Sequence, residues 1–253
     1  MINLDAITFT YSEGQPVFEA FNWHVQQGES WAVLGPSGCG KTTLLYLLAG
    51  LQFPTSGTVL IDNQPLIRPR PHTGLILQDY GLLPWASVRQ NAEIGLQIRG
   101  FYGPDGKHAP KDPSAATNVN SWLERLGLTK HADKYPGQIS GGQRQRTAIA
   151  RTLTLQPDLL LMDEPFSSLD APTREGLQNL TLELAEEQNL TLVLVTHAIE
   201  EAAILGKKIL LLSNPPNTNS TVIGNPGSGL KGYRNSKAYH SLCRDLRNRM
   251  ELQ

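Results

Sequence analysis

Cysteine is nearly absent from the chain: Cys39 and Cys243 are the only two in 253 residues. Neither belongs to a spacing that would hold zinc or frame a disulfide network, so a reducing, cytosolic compartment is expected. Long apolar runs are missing too. The longest, such as Leu159 to Met162 and Ile209 to Leu212, are strand-sized and far short of the ~20 residues a membrane helix needs. The opening Met1-Ile2-Asn3-Leu4-Asp5 lacks the basic and apolar regions of a secretory signal, so work at a membrane would require attachment by another subunit. Neither sign of charge is in excess. The 22 basic and 23 acidic residues leave a net charge of -1, which exerts no chain-wide pull on nucleic acid or anionic lipid.

What remains is a chain with 40% hydrophobic residues, enough at this length to bury the core of one large α/β domain or two closely joined subdomains. Ile2 to Tyr11 and Phe21 to Val25 alternate near period two and read as antiparallel strands at one edge. The short apolar run Trp31 to Leu34 enters a glycine-rich loop, and Thr42 to Ala49 continues as a buried helix. Further buried strands are expected at Thr58 to Asp62, Leu75 to Leu77, Leu159 to Asp163, Leu192 to Thr196 and Lys208 to Leu212, several followed by helical patterns. That alternation argues a mostly parallel sheet covered by helices. Strand signals vanish between Ser87 and Leu155, where helical stretches are broken by a polar Gly100 to Pro113 segment, as an inserted helical subdomain would do. A tail rich in Asn, Pro, Ser and Gly, Asn214 to Gly232, leads to a terminal helix over Ser236 to Met250.

Two motifs carry the chemistry. Gly35-Pro36-Ser37-Gly38-Cys39-Gly40-Lys41-Thr42 fits G-x-x-x-x-G-K-[ST] between a predicted strand and a predicted helix. Its glycines let backbone N–H groups wrap phosphates, the helix N-terminus adds its dipole, and Lys41 reaches the β- and γ-phosphates. Thr42 would offer its hydroxyl to Mg²⁺, and Thr43 is counted with the same nucleotide-binding set. Leu159 to Met162 then ends in Asp163-Glu164, two carboxylates at the C-terminal end of a buried strand, where open α/β sheets bind ligands. Asp163 is expected to help hold Mg²⁺ and Glu164 to polarise the attacking water; an acidic pair merely capping a strand is the plainer alternative.

The class is decided by Ile139-Ser140-Gly141-Gly142-Gln143, followed by Arg144-Gln145-Arg146 and an apolar-periodic helix from Ala148. Ser140 with Gln143 makes a capping box that needs no ligand. The two glycines weaken the first turn without improving the cap, and they make sense where backbone must approach an anion. Here the sequence resembles the ABC transporter ATPase family. The resemblance implies a P-loop NTPase core of mostly parallel sheet with an antiparallel β edge and an inserted helical subdomain. Its expected parts are 1–86 with 156–230 as the nucleotide-binding core, 87–155 as the helical subdomain bearing the signature, and 231–253 as a C-terminal helix.

It further implies ATP and Mg²⁺ as cofactors, sandwiched in a head-to-tail dimer where Ser140, Gly141, Gly142 and Gln143 meet a γ-phosphate held by the other subunit. Tyr11 matches the family's adenine-stacking aromatic, Gln78 its sensing and metal-binding glutamine, His197 its γ-phosphate histidine, and Asp170 its dimer-crossing loop. Taken singly, a tyrosine is more often packing, a strand-end glutamine solvated and a lone histidine a satisfied neutral side chain; their order around the two motifs favours function. Asp170 also reads as an N-cap for a helix beginning at Ala171-Pro172.

Gln78-Asp79-Tyr80-Gly81-Leu82-Leu83-Pro84-Trp85 and Val88-Arg89-Gln90-Asn91 are similar to the nitrate, sulfonate and taurine importer group. The closing Arg234-Asn235-Ser236 to Leu242 and Leu246 is also similar to that group's terminal helix. An importer of this kind implies a transmembrane permease, a second copy or related ATPase subunit, indirect work with a periplasmic or extracellular solute-binding protein, and a peripheral position on the cytoplasmic face of the inner membrane. Nucleic acid is not an expected partner. An exporter ATPase, or a non-transport ATPase acting on ribosomes or DNA, is the alternative. Ala198 after the histidine and the long insertion after Arg99 depart from the family pattern.

Overall fold

The computed structural model describes residues 1–12, 14–103, 107–109 and 119–251. Two compact units emerge: Met1–Pro69 with Gln178–Gln253, and Arg70–Leu177.

The first unit holds two sheets. In the antiparallel one, β1 (Ile2–Phe9) lies between β2 (Phe18–Val25) and β4 (Ser56–Ile61), with the short β5 (Gln64–Pro65) beyond. The buried positions of β1 change parity from Ile2 and Leu4 to Ile7 and Phe9. Register shifts against both neighbours lie in this stretch, around Ala6 at φ 45°. A bulge of this kind adds a residue and returns the apolar side chains to the same face. β4 therefore corrects the sequence expectation, which grouped Thr58 to Asp62 with the parallel strands. Its first half is exposed, and a strand wet along part of its length suits an antiparallel sheet rather than a doubly covered parallel one.

The second sheet of this unit has β3 (Ser30–Leu34) between β8 (Thr191–Thr196) and β9 (Lys208–Leu211), parallel to both. All residues of β3 and β8 are buried, which is why they read as apolar runs without alternation. Each fully buried Val or Leu contributes about 1.5–3 kcal/mol relative to exposure. The unit's helices include α1 (Lys41–Ala49), α6 (Ile199–Leu205) and α7 (Lys237–Glu251). β10 (Thr221–Gly224), inside the tail rich in Asn, Pro, Ser and Gly, pairs antiparallel with β9. Its side chains are mostly exposed, so backbone pairing holds it and no apolar pattern announces it.

In the second unit, β6 (Thr73–Ile76) and β7 (Leu159–Asp163) pair in parallel, and Arg70 clamps their entry with bonds of 3.0 and 2.8 Å to the two oxygens of Asp158. β6 begins before the expected Leu75 and stops short of Leu77. The unit's helices are α2 (Val88–Tyr102), α3 (Val119–Arg125) and α4 (Gly141–Leu153); α5 (Ala171–Glu187) starts here and crosses the division between units. Among the described residues no strand occurs between Ser87 and Leu155. α2 runs through Gly100 to Tyr102, later than expected, and ends at Gly103 with φ 72°. Of the expected Gly100 to Pro113 break, 104–106 and 110–113 lie outside the described residues.

Candidate active site

Where β3 ends, in the first unit, the chain turns through residues 35–40 before α1 starts at Lys41. Gly38 and Gly40 sit at φ 80° and 105°, conformations that cost any other residue strain. Space matters as well at Gly40, where a Cβ would stand 2.5 Å from Val17 Cγ1, whereas at Gly38 it would meet nothing within 4 Å. Ser37 and Gly38 form the exposed crest of the loop and Cys39 its buried underside. Burial pushes the Cys39 thiol up, against the pull of the Lys41 charge. Lys41 is itself buried and folds back, its Nζ donating to the carbonyls of Gly35 and Pro36 at 2.8 Å each.

Several sequence-predicted residues gather around this loop. The Tyr11 hydroxyl bonds Thr43 Oγ1 at 2.9 Å, and its ring, edge-on to Phe9, is half-exposed. Leu34 is in register with Thr196, so the parallel pairing carries His197 to the same end of the sheet as Gly35. His197 is exposed in a turn where Thr196 Oγ1 accepts from Ala198 N at 3.0 Å and donates to Glu201 at 2.7 Å. Thr42, the second residue of α1, is exposed.

Asn217 is a loop-supporting residue that sequence reasoning missed. Buried within the tail, it donates to the Cys39 carbonyl at 2.8 Å and to the Val17 carbonyl at 3.2 Å, and accepts from Ser213 N at 2.9 Å. Nothing local marks it, because its partners lie about 200 and 178 positions away. A cavity of about 750 Å³ along residues 179–190 and 226–235 of the same unit is lined by none of these residues.

In the second unit, the C-terminal ends of the parallel strands β6 and β7 bring Gln78 and Glu164 together, with Gln78 Nε2 donating to Glu164 Oε2 at a long 3.4 Å. Asp163, the last residue of β7, is buried. Glu164 follows at φ 43°, a strained backbone for a residue with a Cβ and of the kind that collects at functional sites. The turn after Gln78 is strained as well, with Tyr80 at φ 68°. Arg151 of α4 holds it by donating to the carbonyls of Gly81 and Tyr80 at 2.5 and 2.7 Å, and the Tyr80 hydroxyl reaches Ser168 Oγ at 2.7 Å. Burial lowers the Arg151 pKa, opposed by the charge of Asp79. Neither tie was visible in sequence.

The signature segment, in the same unit, forms the expected capping box: Ser140 N donates to Gln143 Oε1 at 2.9 Å and Gln143 N to Ser140 Oγ at 3.3 Å. Gln143 Nε2 lies 2.9 Å from His131 Nε2, so its carboxamide is engaged at both ends. Packing gives the two glycines a reason that composition could not. A Cβ on Gly142 would stand 2.5 Å from Thr173 Cγ2, and one on Gly141 3.2 Å from Leu169 Cδ2. Ser140 stays exposed at the helix N-terminus. Asp170 caps α5, accepting from Thr173 N at 3.1 Å. The Thr173 backbone and side chain hold its carboxyl below the usual range.

The residues fit a nucleotide with magnesium. A buried ammonium held by two neutral carbonyls, with no carboxylate bonded to it among the described residues, is matched by a phosphate. Among the described residues no three His, Cys, Asp or Glu side chains cluster to cage a metal. Taken each by itself, the Thr42 hydroxyl of the first unit and the Asp163 carboxylate and Gln78 carboxamide of the second are oxygen donors of the kind Mg²⁺ takes, with phosphate and water filling its shell.

Comparison with known proteins agrees with this chemistry. The ABC transporter family model matches residues 18–167. The taurine import ATP-binding protein TauB of Yersinia pestis bv. Antiqua is 41% identical over 216 residues, 85% of this chain and 81% of that protein. The nitrate import ATP-binding protein NrtD of Synechococcus elongatus is 41% identical over 215 residues, 83% of this chain and 74% of its own length. Among solved structures, the dimeric bacterial cassette MJ0796 superposes with a TM-score of 0.72 at 31% identity, covering 88% of this chain and 98% of that one. The same cassette, as a dimer in a post-hydrolysis state bound to ADP and Pi, matches at 0.71. The chain belongs to the ABC transporter ATP-binding family.

Proposed function

We propose that this chain is the ATP-hydrolysing subunit of an importer for a small solute of the nitrate, sulfonate or taurine kind. It works as a head-to-tail pair with a second copy or a related subunit, beneath a separate membrane permease on the cytoplasmic face of the inner membrane. A solute-binding protein acts upstream of that permease. The observation that carries the reading is Lys41: a buried ammonium folded over a glycine loop and left to two neutral carbonyls. The relatives named for taurine and nitrate import support the solute class, and the dimeric cassette supports the pairing. Among the described residues no helix is long and apolar enough to cross a membrane, which fits a task divided between subunits.

In this reading residues 1–86 and 156–230 form the nucleotide-binding core, 87–155 the helical arm that passes motion to the permease, and 231–253 the terminal helix. The amides of residues 35–43 wrap the phosphates, Lys41 neutralises the β- and γ-oxygens, and Tyr11 stacks on adenine. Thr42, Asp163 and Gln78 would hold Mg²⁺, whose charge offsets that developing on the transferred phosphoryl group. Glu164 orients the attacking water and accepts its proton. His197 donates to the γ-phosphate, as does the segment Ser140 to Gln143 of the second copy, while Asp170 couples the two sites. Phosphoryl transfer needs positioning and charge stabilisation rather than a protein nucleophile.

Glu164→Gln tests this directly. A general base is worth about 10²–10⁴-fold, so the variant in Mg-ATP should release phosphate at least about 100-fold more slowly while light scattering reports an accumulated dimer. A variant that stays monomeric and hydrolyses at the wild-type rate would end the shared-site reading.

A further inference from the structure

Gln145, in the second turn of α4, is fully buried, and among the described residues neither its Oε1 nor its Nε2 meets a hydrogen-bond partner. Gln143, two positions earlier, has both ends engaged. A buried carboxamide unmatched at both ends costs stability that an apolar side chain of similar volume would not, so a compensating gain is to be sought in another arrangement of the same unit.

Its position says where. Gln145 stands four residues after Gly141 and three after Gly142, on their face of the helix, and long helical side chains lean back over the preceding turn. On that face the turn is formed by Gly141 and Gly142, which carry no side chains. The nearest atoms include Leu169 Cδ2, Arg144 Nη2 and the Tyr80 hydroxyl opposite Gly141, and Thr173 Cγ2 and Leu177 Cδ1 opposite Gly142. The helix face that Gln145 shares with the two glycines thus lies beside two segments joined by the Tyr80 to Ser168 bond. One follows Gln78 and includes the strained Tyr80; the other follows Glu164 and leads to Asp170.

We propose that Gln145 is a positioning residue for ATP hydrolysis. In the hydrolysis-competent arrangement its carboxamide takes its partners from the 79–81 turn and the 167–170 loop, and so fixes Gln78 and Glu164 relative to each other. This rests on the reading above, in which Glu164 activates the water.

The test compares the full chain with Gln145→Met and Gln145→Asn by thermal midpoint, KM for ATP and kcat for phosphate release. Gln145→Met should keep or raise the midpoint, hold KM within about twofold and lower kcat by about tenfold, the scale of one or two hydrogen bonds made only on the way to hydrolysis. Gln145→Asn, which retains an amide, should recover part of that loss. A Met variant hydrolysing within about twofold of wild type overturns the proposal. So does a midpoint lowered by more than about 4 °C, or a failure to fold, because the amide is then already matched in the resting fold, by water or by protein. A wild-type chain that releases no phosphate removes the ATPase reading itself, before any variant is compared.

Discussion

Replacing Gly40 by alanine separates two costs that the phosphate loop combines. A residue with a Cβ in left-handed backbone loses about 1–2 kcal/mol, and Gly40 is at φ 105°. Its new methyl would also stand 2.5 Å from Val17 Cγ1 and 3.1 Å from Phe18 Cζ, in a wall whose Phe18 is fully buried. Overpacking of that kind adds about 1–3 kcal/mol. Together these effects destabilise by about 2–5 kcal/mol, which for a chain of this size lowers the thermal midpoint by about 5–15 °C. Gly38→Ala is the internal control. It carries similar strain, at φ 80°, but its methyl enters open space, so its midpoint should fall by about 2–8 °C. Circular dichroism melts of both variants, without and with Mg-ATP, give the comparison. Gly40→Ala should also lose most of the stabilisation that a saturating ligand supplies, since the wall behind the loop must shift. Equal midpoints for the two variants would refute the steric half of the reasoning; an unchanged ATP-induced shift in Gly40→Ala would refute the claim that the loop's shape sets nucleotide affinity.

Asn217→Ala removes the bonds to the Cys39 and Val17 carbonyls and to Ser213 N. Leaving such buried groups unmatched costs about 1–3 kcal/mol, so fluorescent-nucleotide titration should show weaker ATP binding together with a lower melting midpoint; unchanged affinity would make Asn217 a tail anchor only. At Glu29, burial tends to raise the carboxyl pKa, but Lys208, the Gln26 amide and the Trp31 indole outweigh it and hold the pKa below its ordinary 4.5. A depressed carboxylate pKa means stability that is present above the unfolded value and lost as pH falls through the folded one. Acid titration of stability should therefore show a decline below about pH 4.5 that Lys208→Met flattens; parallel curves for wild type and variant would remove the ion pair from the account.

The fold and its chemistry were legible wherever the cause was local. The phosphate loop needs its glycines, Lys41 and Thr42 in one unbroken stretch. The runs at Trp31 to Leu34, Leu159 to Asp163 and Leu192 to Thr196 announce strands covered on both faces, and the Ser140–Gln143 cap follows from residues three apart. Where a neighbour far along the chain decides the outcome, the sequence was silent. β4 reads as apolar as a parallel strand, yet pairing with the distant β1 makes it antiparallel. β10 shows no pattern because backbone pairing alone recruits it to β9. The support that Asn217 lends to Cys39, the hold of Arg151 on the turn after Gln78 and the room that Gly142 leaves for Thr173 all belong to the same class. Periodicity and motif spacing report what a residue's immediate neighbours require, whereas hydrogen-bond partners and packing distances arise when distant segments meet. Tertiary structure alone therefore decided which side chains hold the site in place.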